Sequence, residues 1–357
     1  MSVFRKILAG VLAAATMLTL ASCADTSIAA TVDGTSIRAG IYIYSLMNAV
    51  YEGESVLKGD TETEIKDPWS EKIEDKSFSD WVKDKATEYV QEYVAIERKF
   101  DELKLSFDET DEYSIDNYIN YYWDEAHFND LGVSKQSFTD VVTNSYKRDK
   151  VFNKYYNTDG IEEVPEQDVK VFFEDNYVRY KRVDFLLTDG AGKDLDDKGK
   201  TEVLDMAKDY LARAQEGEDF NDLIAEYTEY RAKLEAKAAD KEYTAPEVDE
   251  DEEADEFANE RLANIEHTTP SEKFIKFLFE TAKVDESEIF QDDKKYYLVQ
   301  KLDIFGRDDL LDSYRSTILY EIKGDEFNEL VSTWAAELDV QRNENAYKSY
   351  NPKKMGF

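Results

Sequence analysis

The hydrophobic and polar positions along the chain change their period near Tyr180. Before that point apolar residues recur every three or four positions, which is typical of amphipathic helices. The clearest stripe predicts a helix over 79–103, and further stripes predict helices that begin near Ile41, Ser106 and Ser134. The chain before residue 178 is therefore predicted to be mostly helical.

Two details of this helical part carry further expectations. Ser106 and Glu109 match a capping box, in which the two side chains bond to each other's backbone N–H, so we expect the helix to open at Ser106. Aromatic residues are frequent within the stripes. At helical spacing they more often form a core, but a groove for a bound polypeptide fits the same pattern, and both interpretations stay open.

Beyond Tyr180 strands and helices follow one another. Val183, Phe185 and Leu187 alternate with polar residues, which predicts a strand over 180–187 with one buried face. This order of elements is typical of a small α+β domain followed by a last helix. The other predicted elements are two helices ending near Tyr227, a helix over 271–281, strands over 288–290 and 295–304, and the last helix, or a broken pair, over 308–338.

The first residues have the pattern of an export signal. Arg5 and Lys6 precede an apolar run that ends at Leu20, which is shorter than the roughly 20 residues a membrane-spanning helix needs. Leu20-Ala-Ser-Cys23 resembles the bacterial lipobox, so we expect removal of residues 1–22 and lipidation of Cys23. The chain would then be anchored by lipid at the outer, extracytoplasmic face of the bacterial cell membrane. An ordinary signal peptide that happens to contain a cysteine is the alternative.

Composition excludes several classes of function. The chain has 80 acidic and 44 basic residues and a net charge of −36, which argues against nucleic acid as a partner. One cysteine and the two histidines, His127 and His267, leave no disulfide framework and little for a zinc site. No motif indicates a cofactor or a metal, and none is expected.

The run over 247–256 has eight acidic residues in ten, which favours a solvated loop over a site for calcium or basic segments.

Three stretches carry a resemblance to the PrsA/SurA-type exported foldases. They are Ala30-Thr-Val-Asp-Gly-Thr-Ser-Ile37, the helix over 79–103 with the later Gly132-Val-Ser134, and 180–227 with its bridge Glu216-Gly-Glu-Asp-Phe220. The resemblance implies an α+β fold: a helical SurA-N/PrsA-like chaperone domain, an inserted parvulin-like domain, and a C-terminal helix that returns to the helical domain. The implied boundaries are a signal peptide over 1–22, the helical domain over 24–177, the parvulin-like domain over 178–305 with an acidic insert at about 230–261, the returning helix over 306–345, and a tail over 346–357.

The sequence differs from this family at the positions of its catalytic histidines. Active parvulins carry a histidine in the first strand and another in the last; here Asp184 and Tyr297 stand at those positions. The resemblance therefore favours a chaperone that binds newly exported, unfolded polypeptides without prolyl isomerase activity. An active isomerase that uses Asp184 and Tyr297 is the first alternative. A solute-binding or adhesive lipoprotein is the second, although the chain lacks the repeated βαβ pattern of solute binders. A homodimer stays open.

The resemblance also implies where clients would bind. A groove between the helical and parvulin-like domains would hold extended, partly apolar segments, with tyrosine and phenylalanine as sequence-tolerant contacts. The residues expected to line the parvulin-like cleft are Asp184, Leu186, Phe277, Tyr297 and Val299.

Overall fold

The structure is a computed structural model, and it describes residues 27–59, 65–126, 128–245, 257 and 259–355. The expected leader with Cys23 and the acidic run over 247–256 lie outside the described residues. Within the part of the chain that is described, no helix has the length and apolar character needed to span a membrane.

The chain forms two compact units, and the second is inserted into the first. The first unit comprises the chain up to Val164 and the chain from Leu319 onward; the second comprises Pro165–Ile318. One long helix, α9, begins in the second unit and ends in the first. The fold is α+β.

The first unit consists of helices around a three-stranded antiparallel sheet of order β2-β1-β9 and a two-stranded hairpin of β3 and β4. Its elements are β1 Ile28–Val32, β2 Thr35–Arg38, α1 Ala39–Lys58, β3 Lys72–Ile73, β4 Lys76–Ser77, α2 Phe78–Glu102, α3 Glu109–Ala126, α4 Lys135–Tyr156, the later part of α9 Leu310–Ala336, β9 Val340–Arg342, α10 Glu344–Ser349 and α11 Pro352–Met355.

Local sequence explains where the long helices of this unit begin. The Ser77 hydroxyl accepts the backbone N–H of Asp80 and caps α2, and Ser134 caps α4 by accepting the N–H of Ser137. From Val82 to Val94, residues at every fourth position of α2 are buried against α1 and β1. These helices agree with the sequence prediction to within about two residues, the usual uncertainty of helix ends.

The cap of α3 differs from the predicted one. Asp108 accepts the backbone N–H groups of Thr110 and Asp111, and the Asp111 carboxylate accepts the N–H of Asp108. The reciprocal pattern of a capping box is therefore present, but it is shifted from Ser106/Glu109 to Asp108/Asp111, and the helix starts at Glu109. Aspartate competes well with serine for this position because its carboxylate also interacts favourably with the positive end of the helix dipole.

The C-terminal segment closes the first unit. From Leu319 onward α9 packs on α4, with the rings of Tyr320 and Phe152 stacked at a centroid distance of 3.9 Å. The helix is continuous from Leu310 to Ala336 rather than a broken pair. The chain then pairs β9 antiparallel with β1, and Tyr347 of α10 stacks on the buried Tyr42 of α1 at 4.3 Å.

The second unit is a four-stranded antiparallel sheet of order β6-β5-β8-β7 with helices on both faces. On one face α6 and α7 cover Val183, Phe185 and Leu298; on the other α8 covers Tyr180, Tyr297 and Val299. Its elements are α5 Glu166–Asn176, β5 Tyr177–Leu186, α6 Asp197–Gln215, α7 Phe220–Ala238, β6 Arg261–Asn264, α8 Glu272–Glu280, β7 Ser287–Asp292, β8 Lys295–Leu302 and the first part of α9.

Helix α7 is longer than predicted, and β6 was not predicted. The sequence assigned Tyr230 onward to an acidic insert, but α7 continues to Ala238 because residues 228–238 are good helix formers with i,i+4 ion pairs. Arg231 also donates to the carbonyl oxygen of Thr188 at 2.8 Å, which ties the added turns to the chain after β5. Strand β6 is defined by its pairing with β5, a contact distant in sequence.

Candidate functional site

The sheet of the second unit brings the predicted cleft residues to one face. In the antiparallel pairing of β5 with β8, Asp184 lies opposite Tyr297 and Leu186 lies opposite Lys295. Residues directly opposite in such a pair share a face, and Val299 follows Tyr297 on it by the period of two. The fifth residue, Phe277, comes from α8, which packs on this face.

An aromatic layer joins α8 to the sheet. Phe274 lies 4.8 Å from Tyr297 between ring centroids, and Phe277 lies 5.0 Å from Phe290 of β7. Helix α8 is short but well defined at its start, because the Ser271 hydroxyl accepts the backbone N–H of Phe274. We name this layer, made of Tyr180, Phe274, Phe277, Phe290 and Tyr297, the α8 aromatic layer.

Charged side chains border the layer at its open edge. The Asp184 carboxylate forms ion pairs with Arg182, at 2.7 Å from Nε to Oδ1, and with Lys295, at 3.1 Å from Nζ to Oδ2. The Arg182 guanidinium also lies over the rings of Phe274 and Tyr297, at 5.5 and 5.3 Å from their centroids. Two cations thus pair with Asp184, and one of them covers the aromatic layer.

The five candidate residues on this face differ in how far they are buried. Phe277, Tyr297 and Val299 are 9%, 3% and 1% exposed, so these three candidates belong to the core beneath α8. Asp184 retains 27% of its side-chain exposure, and Leu186 is half-buried. The Asp184 and Leu186 end of the face is therefore partly exposed, whereas the other three candidates are buried.

The residues at the two predicted catalytic positions differ chemically from a pair of histidines. Burial raises the pKa of the Tyr297 hydroxyl, and the nearby charge of Asp184 raises it further, so the phenol stays protonated. Asp184 already accepts from two cations. The pair offers an ion-paired carboxylate and a buried phenol in place of two imidazoles.

The histidines and the metal-ligating side chains contribute no second centre. His127 is outside the described residues, and the His267 Nδ1 accepts the backbone N–H of Asn264 at 3.2 Å in the turn after β6. Among the described residues no three His, Cys, Asp or Glu side chains come together as a metal site would require.

A tyrosine-rich surface of the first unit was not identified from the sequence. Tyr113 and Tyr121 of α3 are 69% and 62% exposed. Tyr121, together with Tyr118, Tyr122 and Tyr146, lines an open concavity of about 760 Å³. The signal was present in the spacing, because Tyr113 and Tyr121 fall outside the stripe of Ile115 and Ile119 that faces the core.

Comparison with known proteins gives structural similarities only. No protein-family model matches the chain, and the comparison with curated proteins finds no match. Foldase protein PrsA from Streptococcus pneumoniae is 15% identical, with a TM-score of 0.34, over 78% of this chain and 98% of that one. PrsA from Bacillus subtilis is 16% identical, with a TM-score of 0.26, over 93% and 92% of the two chains. The PrsA foldase from Lactococcus lactis is 12% identical, with a TM-score of 0.34, over 91% and 97%.

Proposed function

We propose that the protein is a lipid-anchored chaperone at the outer face of the cell membrane, which binds newly exported, unfolded polypeptides and does not isomerise prolyl bonds. The proposal rests on one observation, the position and the surroundings of Asp184 and Tyr297 in the sheet. The two residues lie at the positions where the sequence resemblance places histidines, directly opposite each other across β5 and β8.

The environment of this pair argues against isomerase activity. Turning a peptide bond between cis and trans crosses a barrier of about 18–20 kcal/mol, and lowering it requires a cup that accepts the prolyl ring beside a polar network. Here Phe274 packs on Tyr297, Arg182 lies over both rings, and Tyr297 is 3% exposed. These contacts cover Tyr297, which argues against a prolyl ring packing on this residue.

The topology and the charge support a chaperone role. The α+β unit is inserted into the helical unit, which is the arrangement implied by the resemblance to exported foldases. A net charge of −36 keeps a chaperone with a bound apolar client in solution, because charged surfaces repel one another. Lipidation at Cys23 would hold the chain at the membrane without a spanning helix.

At the second unit, we place client contact at the accessible end of the face, at Asp184 and Leu186, with Phe277, Tyr297 and Val299 beneath. The double substitution Asp184→Asn/Tyr297→Phe keeps the shape of both side chains, so it tests the polar groups alone. Leu186→Ser tests the apolar contact. If client binding is unchanged in both variants, this face is not a binding site.

The decisive experiment follows the refolding of a client whose slow phase is prolyl isomerisation. The rate of that phase and the final yield of folded client are measured separately. The experiment uses residues 24–357, which include every residue that the structure describes. We expect an unchanged slow-phase rate and a refolding yield that rises only near equimolar chaperone. Acceleration at a small fraction of one equivalent would instead make the protein an isomerase, and the argument from Asp184 and Tyr297 would be wrong. A change in neither quantity would contradict the chaperone role.

A further inference from the structure

The exposed side of α3 carries a surface that the helical core does not use. Going around the helix, Ile115 and Ile119 face the core, and the opposite side presents Tyr113, Asn117 and Tyr121 at a spacing of four residues. Because residues four apart lie above one another on a helix, these three form one continuous stripe. We name this stripe, with Ser114, Tyr118, Asn120, Tyr122 and Tyr146 beside it, the α3 tyrosine surface.

The rings of this surface are held from one side and open on the other. Tyr118 and Tyr122 lie 4.3 Å apart between centroids, and Tyr121 meets Tyr122 edge to face at 4.9 Å. Tyr118, Tyr122 and Tyr146 pack partly against the core of the unit, whereas Tyr113 and Tyr121 project with more than half of their surface exposed. Tyr122 supports the ring of Tyr121, so little conformational entropy is lost when a ligand packs on Tyr121.

Acidic residues accompany the tyrosines along the same helix. Glu109, Glu112 and Asp116 are exposed on the side of the stripe next to Tyr113, and none of them forms an ion pair with a described residue. Of the cations nearby, Lys150 pairs with Asp111 at 2.5 Å, and Lys135 donates to Asn120 of this surface at 3.5 Å. The surface therefore combines ring faces, amide groups and an excess of negative over positive charge.

That combination of groups favours one chemical class of ligand. Tyrosine faces attract lysine and arginine side chains, carboxylates attract the same cations, and the amides of Asn117 and Asn120 offer hydrogen bonds to an extended backbone. We propose that the α3 tyrosine surface binds extended, unfolded polypeptide segments that carry lysine or arginine among apolar residues. This inference rests on the proposed chaperone function and defines which segments of a client the first unit would select.

Binding of two labelled, unstructured peptides tests the inference, measured by fluorescence anisotropy with residues 24–357. One peptide carries lysine and arginine among apolar and aromatic residues, and the other has glutamine at the same positions. We expect the basic peptide to bind more tightly than the neutral one, with an advantage that shrinks as salt rises from 0.05 to 0.5 M.

Two variants and two matched controls locate the site. Tyr113→Ser/Tyr121→Ser should weaken binding of the basic peptide about fivefold or more, as expected for two cation–π contacts at exposed positions. The control Tyr230→Ser changes a tyrosine that is 39% exposed on α7 of the second unit and should leave binding unchanged. Because Tyr113 and Tyr121 are largely exposed, the double variant should keep its helical circular dichroism.

The charge contribution is tested separately. Glu112→Gln/Asp116→Asn should weaken binding of the basic peptide and leave the neutral peptide unaffected. The control Glu202→Gln/Asp205→Asn removes the same charge from exposed positions of α6, where each carboxylate pairs with a lysine, and should have little effect.

The outcomes separate this inference from the proposed function. If the wild-type chain binds both peptides and protects clients, but the α3 variants bind as well as wild type, the surface is not the site and the chaperone role stands. If the wild-type chain neither binds peptides nor protects clients, both proposals fail. If the tyrosine variants change only the sedimentation of the protein, the surface docks a second copy of the chain, and the inference is overturned.

Discussion

At the scale of single residues, the pair of Arg179 and Glu260 is the least exposed ion pair among the described residues of the second unit. The two side chains are 8% and 10% exposed and meet at 3.2 Å, and Arg179 Nε has no hydrogen-bond partner among the described residues. A buried ion pair is weak evidence for net stability, but removal of one partner leaves the other charge uncompensated. Glu260 lies immediately before β6, so the pair also attaches this edge strand to β5.

We therefore expect Glu260→Ala to lower the free energy of unfolding of the second unit by about 3 kcal/mol, because Arg179 stays buried without its carboxylate. Urea unfolding followed by far-UV circular dichroism measures this. Glu280→Ala is the control, since its pair with Lys276 is 63–70% exposed and should contribute less than about 0.5 kcal/mol. Replacing both partners, with Arg179→Met/Glu260→Leu, should recover most of the loss. Equal, small effects of Glu260→Ala and Glu280→Ala would contradict the argument.

A second residue-scale prediction concerns pH. Arg213 and Tyr210 donate to the Glu226 carboxylate at 2.6 and 2.8 Å, and these bonds lower its pKa from 4.5 to about 2. A carboxyl whose pKa is lower in the folded state stabilises the fold above its unfolded pKa and loses this contribution as pH falls toward the folded value. Because the side chain is 50% exposed, the contribution is discounted to below about 1 kcal/mol.

The difference in unfolding free energy between wild type and Glu226→Gln should thus favour wild type at pH 6 and shrink as pH falls from 4.5 toward 2. Measuring the difference, rather than either protein alone, removes the effect of the other carboxylates. Urea unfolding at pH 6, 4 and 2.5 supplies it. A difference that is constant across these three conditions would show that Glu226 has no lowered pKa.

At the scale of elements, the cap at the start of α3 differs between the sequence prediction and the structure. Ser106/Glu109 and Asp108/Asp111 both fit the spacing of a capping box, and pattern alone does not choose between them. The structure chooses the second pair, since Asp108 accepts two backbone N–H groups at 2.9 Å each. The choice matters for function because α3 carries the tyrosine surface.

We expect Asp108→Ala to lower the unfolding free energy by about 1 kcal/mol, the usual effect of losing an N-cap, and Ser106→Ala to leave it nearly unchanged. Thermal unfolding of the two variants beside wild type makes the comparison. The reverse order of effects would mean that the cap predicted from the sequence is the real one. Ser134→Ala, at the cap of α4, provides a reference value for a cap on which sequence and structure agree.

Two of the strands that the sequence missed, β6 and β9, share a physical cause. Strand β6 has four residues and β9 has three, and each is defined by hydrogen bonds to a strand far away in the chain. Short segments carry too little periodicity to reveal a strand when the partner is distant. By contrast β5 and β8 are ten and eight residues long, so their alternation could be read directly.

The same reasoning explains the candidate site. Strand faces read from alternation placed Asp184 and Tyr297 on one side of the sheet, and the pairing of β5 with β8 puts them directly opposite each other. Their burial could not be foreseen, because it depends on where α8 packs. The tyrosine surface was missed for a different reason. Aromatic residues on a helix are expected in the core, so the position of Tyr113 and Tyr121 outside the apolar stripe did not by itself indicate a binding surface.

At the scale of the whole molecule, the net charge of −36 sets how the folded state responds to ions. Most ion pairs of the described residues are at least partly exposed and contribute little each, whereas the excess of carboxylates repels over long distances. Screening shortens that range from about 30 Å at 0.01 M salt to about 8 Å at 0.15 M. Added salt should therefore weaken the repulsion more than it weakens the pairs.

The midpoint of thermal unfolding is accordingly expected to rise as sodium chloride increases from 0.01 to 0.3 M, and to rise equally in potassium or choline chloride, since screening depends on ionic strength and not on the identity of the cation. A falling midpoint would mean that the ion pairs outweigh the repulsion. A rise produced by micromolar calcium, but not by choline, would mean that carboxylates bind the cation directly. That result would revive the calcium interpretation of the run over 247–256, which removal of that run would then test.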